Sequence, residues 1–82
     1  MLFKKKGIFD EEDALKVVKI ASRENAKEII VMCEHITDSA KRRLWDYARG
    51  VQLMSDLTGE GRGVRIEILE GYVSNRVKGM EL

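Results

Sequence analysis

The stretch KEIIVMCEHITDSAKRRLWDYARGVQLMSDL, residues 27–57, changes its hydrophobic period partway along. Ile29 to Cys33 form an unbroken apolar run, the pattern of a strand covered on both faces. From Ala40 onward the apolar residues recur at Leu44, Tyr47, Ala48, Val51 and Met54. That three-and-four spacing is a helix laying one stripe on a core. Thr37 or Asp38 stands where an N-cap is needed. A strand feeding a helix through a short polar turn points to an α/β arrangement.

Working outward, DEEDALKVVKIASREN (residues 10–25) predicts a first helix. Asp10 is its cap, and Glu11, Glu12 and Asp13 lie in the first turn, where the helix dipole favours acids. Ala14, Val17, Val18 and Ala21 make its core face. Arg23 suits the last turn and Asn25 the end. LFKKKGIF (residues 2–9) reads as a weak edge strand, with Leu2 and Phe3 buried and three lysines guarding the edge. A membrane-touching amphipathic helix is the alternative there, but the segment is too short for a convincing anchor.

On the other side, TGEGRG (residues 58–63) is a glycine-rich loop. VRIEILEGYVSNRV (residues 64–77) then reads as strand, turn, strand. Val64, Ile66 and Ile68 alternate with Arg65 and Glu67, and Glu70–Gly71 suits a tight turn. The expected fold is α/β (α+β), a two-layer sandwich of two helices on a small sheet of about four strands, in the order β-α-β-α-β-β. Residues 1–82 form one domain, with no internal repeat or linker.

At 82 residues the domain is small, so the fraction of surface it buries leaves its stability marginal. Cys33 is the one cysteine and His35 the one histidine. An internal disulfide is thereby excluded, and so is a zinc site, which wants four ligands. No cofactor is expected. Packing and self-association remain as sources of stability. The net charge of +1 gives no general attraction to nucleic acid. No apolar run approaches the roughly 20 residues of a membrane span, and no secretory signal is present. A free cysteine without an export signal points to the cytoplasm.

The glycine-rich loop fails as a phosphate cradle. A P-loop follows a strand and opens a helix with Lys-Ser/Thr, whereas here a helix precedes the loop and a strand follows. Cys33 and His35 share a strand face, yet Cys33 belongs to the buried run, where a thiol is inert. No enzyme is expected. Lys41, Arg42, Arg43 and Arg49 make part of the second helix basic, and Trp45 could stack on a base. The acids Asp46 and Asp56 on the same helix count against a nucleic-acid site, which stands as the alternative reading.

Gly50 is the unexpected residue. A glycine inside a helix costs about 0.5–1 kcal/mol relative to alanine. On a helical wheel Gly50, Leu53 and Leu57 fall more than about 100° from the centre of the core stripe, and Trp45 also lies off it. A helix covering one sheet needs a single apolar stripe. The second arc, with a small residue inside it, predicts close packing of another protein surface. We expect a homodimer.

The segment IIVMCEHITDSAKRRLWDYARG, residues 29–50, resembles the core domain of SepF, the bacterial and archaeal cell-division protein that links FtsZ filaments to the membrane. The family pattern is an apolar strand, an E-x-L/I step and a helix with R-x-x-D-F/Y-x-x-G. It is matched without a gap by Glu34, Ile36, Arg43, Asp46, Tyr47 and Gly50. Phe9, Asp13 and Ala14 resemble the family's Y-x-D-A helix opening, and GVRIEILEGYV resembles its last strand and turn. The resemblance implies a non-enzymatic adaptor that dimerises, polymerises further and binds the FtsZ C-terminal tail at the division site.

Gly50, Leu53, Leu57 and Trp45 would then serve self-association, and Arg65, Glu67 and Tyr47 partner binding. The chain departs from the family in three places, one of them the stretch Thr58 to Arg62, where glycines replace a strand of the family. It has only MLFKKKG where the family carries a membrane-targeting helix and linker, so membrane contact has no sequence support. It also has Arg65, Glu67 and Glu70–Gly71 where the family's last strand carries a phenylalanine and Thr-Pro.

Overall fold

In the computed structural model, which describes residues 1–82, the change of period falls between Ile36 and Asp38, as the pattern predicts. The elements are β1 (Leu2–Phe9), α1 (Glu11–Arg23), β2 (Glu28–Ile36), α2 (Asp38–Thr58), β3 (Arg65–Glu70) and β4 (Met80–Glu81). They form a two-layer α/β domain with one four-stranded sheet, ordered β3-β2-β1-β4. Every neighbouring pair is parallel.

Helix ends follow local chemistry. Asp10 caps α1 by accepting from the Asp13 N–H at 3.0 Å, and the Asp13 carboxylate accepts from the Asp10 N–H at 3.1 Å. This reciprocal box satisfies two amides that the helix leaves free. Asp13 is buried, and the Lys5 ammonium lies 3.4 Å from its carboxylate. Asn25, at φ 53°, takes the left-handed conformation that ends α1. Thr37 caps α2, its hydroxyl accepting from the Ala40 N–H. Gly59 closes α2 at φ 73°, where a side chain would be strained, and its N–H donates to the Ser55 carbonyl.

Steps from β1 to β2 and from β2 to β3 run in the same direction across the sheet. Right-handed crossovers therefore put α1 and α2 on one face, where they pack on each other. The core lies between them and the sheet. It is built from Phe3 and Phe9 of β1, Val17 and Ala21 of α1, Ile29, Val31 and Cys33 of β2, Ala40 and Leu44 of α2, and Ile66 of β3.

Three local expectations change. β1 lies inside the sheet, not at its edge, because β4 pairs beside it at Phe3↔Met80 and Lys4↔Glu81. Lys4 is buried and guards nothing. Glu70–Gly71 does not close a hairpin. The chain instead leaves β3, crosses the helix-free face of the sheet as residues 71–79, and returns as β4 on the far edge. Met54 is 61% exposed, and Ser55 takes the buried position on that turn. Its hydroxyl accepts from the Arg62 N–H, so a polar residue in the core stripe is satisfied by the loop beside it.

Candidate functional site

α2 is the longest element, at 21 residues, or about 30 Å of helix. Its core contact ends early. Ala40 and Leu44 are fully buried, whereas Tyr47, Ala48 and Val51 are only half-buried. Beyond them the helix carries large apolar side chains into solvent: Leu53 and Met54 are each 61% exposed and Leu57 is 74% exposed.

Gly50 sits among them. A Cβ built at Gly50 meets no atom within 4 Å. Nothing inside this chain requires the glycine, so its cost in helix propensity is not repaid within the fold. Gly50, Leu53, Met54 and Leu57 lie within about 100° of arc on the wheel. Trp45 is 46% exposed but stands about 140° from Gly50. The structure thus brings together three of the four residues expected to self-associate and turns Trp45 another way. Met54, assigned to the core from its spacing, joins the outer arc. Its position at the border between the two stripes is why spacing alone misplaces it.

One flank of this arc borders a groove of about 780 Å³. Tyr47, Gly50, Val51 and Met54 line the α2 side, and Asn25 with Arg62 close the opposite wall. The Arg62 guanidinium donates to the Asn25 side-chain oxygen, tying the glycine-rich loop to the end of α1. That loop serves to connect α2 to β3. The groove escapes sequence reasoning because it depends on the αL turn at Asn25 meeting a distant arginine.

The residues expected to bind a partner do not converge. Tyr47 packs against the core on the helix side. Arg65 and Glu67 share the register face of Ile30 and Met32, which the pleat directs away from the helices. Arg65 lies 3.6 Å from Glu28 and 3.9 Å from Glu67, an ion-paired strip along the edge strand β3. Such charges discourage sheet-to-sheet pairing at an edge.

Two of the four basic side chains of α2 are engaged. Arg43 donates to Glu11 at 2.8 Å, and Arg49 pairs with Asp46 one turn away. Cys33 is fully buried. Its desolvation, with the nearby Glu70 carboxylate, pushes the thiol up from its usual range, so it stays protonated at neutral pH. His35, two residues on, is exposed. No helix is long and apolar enough to cross a membrane.

Comparison with family models, with curated proteins and with solved structures yields no match.

Proposed function

We propose that this protein is a SepF-like, non-enzymatic adaptor of cell division, which self-associates through α2 and binds the FtsZ C-terminal tail. The observation that carries the self-association is the exposed arc of Leu53, Met54 and Leu57 around a glycine with no packing role in its own chain. A second copy packed against this arc would take these side chains out of water. The resemblance over residues 29–50 supports the choice of partner, with the tail binding in the micromolar range, about −8 kcal/mol, and polymerisation adding avidity.

The test is a titration of the pure protein with a labelled peptide of the FtsZ tail, with light scattering run in parallel. Saturable binding to a dimer is expected. A dimer that ignores the tail removes the adaptor reading and keeps the α2 interface. Gly50→Lys should give a folded monomer, and an unaltered dimer would move the interface elsewhere. The nucleic-acid alternative is tested in the same apparatus with an oligonucleotide, whose binding would fall steeply with salt.

A further inference from the structure

A parallel sheet usually has both faces covered, and here the second face has no helix. Its register rows are Leu69–Met32–Lys4 and Glu67–Ile30–Leu2. Met32 is 7% exposed and Lys4 is 6% exposed, although neither belongs to the core on the helix side. The segment 71–79 covers them. Ser74 N–H donates to Met32 Sδ at 3.3 Å, and Lys4 Nζ donates to the Val77 carbonyl at 2.9 Å. The seat is closely fitted at its end. A Cβ at Gly79 would collide with the Leu2 side chain and stand 3.0 Å from the Leu2 carbonyl oxygen, so any other residue pushes Leu2 aside and crowds its backbone.

The attachments are nonetheless few. β4 pairs through two residues, extended by one bond from Leu82 N–H to the Lys4 carbonyl, and only Leu82 of the segment reaches the core. The bond to the Met32 sulfur is a weak one, since a thioether is a poor acceptor. Lys4, the single buried cation under the segment, is held by a carbonyl with no carboxylate within ion-pair distance. Tyr72, at 75% exposed, contributes almost nothing to the contact.

We propose that residues 71–82 are a latch. They close over the helix-free face, and they open as a unit while the helices and β1–β3 remain folded. Opening presents Leu2, Ile30, Met32 and Leu69 around the Lys4 ammonium, a surface on the opposite side of the sheet from α2. The closed latch occupies this surface in cis.

Met32 reports the state of the latch, because its sulfur is reached only when the latch lifts. With dilute hydrogen peroxide and peptide mass spectrometry, Met54 should oxidise rapidly in the wild-type chain and Met32 slowly. Gly79→Val should speed oxidation of Met32 by at least about tenfold while amide exchange in β2 is unchanged, the signature of a local opening. Lys4→Met, which removes the bond to Val77 without crowding, is the second variant and should act in the same direction. Wild-type oxidation of Met32 as fast as that of Met54 would overturn the proposal, because the segment would then be no cover. Equal protection of residues 72–81 and of β2 in amide exchange would overturn it too, because the segment would open only with the whole fold.

Discussion

Gly50 and Gly79 are the same residue type placed for opposite reasons. At Gly79 a methyl group collides with Leu2, so the constraint lies within the chain. At Gly50 the space is empty, and the constraint must come from outside or be absent. Asp10 is a third position where one side chain has a readable role. Its hydrogen bond from the Asp13 amide holds its carboxyl below the ordinary value of 3.8. A depressed carboxyl stabilises the fold fully above its unfolded value, and that contribution fades as pH falls through the folded one. Asp10→Asn keeps a capping oxygen and loses the charge. The difference in urea midpoint between wild type and Asp10→Asn should therefore shrink as the pH drops below 3.8. A constant difference would show that the charge plays no part.

Elements with a strong local pattern were legible from the chain alone. α1 carries its cap, acidic first turn and αL terminator in sequence order, and β2 is a bare apolar run. α2 was legible in extent and in its two stripes, but not at Met54 or Ser55, where the Arg62 amide of the loop, donating to the Ser55 hydroxyl, decides which residue turns inward. The return from β3 to β4 was not legible. Glu70–Gly71 has the chemistry of a hairpin turn, yet β3 stays an edge strand because the chain crosses to pair with β1 instead. Local turn preference is worth little against a long-range seat such as the one at Gly79.

The two stripes of α2 should differ in kind. Leu44→Ala empties a fully buried site and should cost about 2–5 kcal/mol, read from urea unfolding. Leu57→Ala, at 74% exposure, should change the stability of the separated chain by less than about 0.5 kcal/mol. The same substitution should weaken self-association measured by light scattering. If Leu57→Ala leaves the dimer intact, the arc around Gly50 is not the interface.

The whole molecule is one-sided: two helices on one face of the sheet, nine residues of irregular chain on the other. A domain of this size carries little surplus stability. Partner binding to its native form would raise the melting temperature with concentration. The outer arc of α2 is exposed, whereas the opposite face of the sheet, at Met32 and Lys4, is covered by residues 71–79. These two surfaces point in opposite directions, so occupation of one leaves the other free.

The parallel pairing of β4 with β1 also sets Leu82 about 13 Å along the strand from Met1. The Met1 ammonium donates to the Glu28 carbonyl, and Leu82 N–H donates to the Lys4 carbonyl on the adjoining strand. A short peptide linker from Leu82 back to Met1 would span the gap without strain, and the chain could be cut instead in the loop after α2, where permutation is tolerated. Such a permuted chain loses its freedom to peel from one end. A segment tethered at both sides cannot swing clear, so peroxide should reach Met32 more slowly than in the linear protein, with α2 and its outer arc unaltered. The topology of the backbone, with no change of side chain, would then set how often the molecule shows its second face.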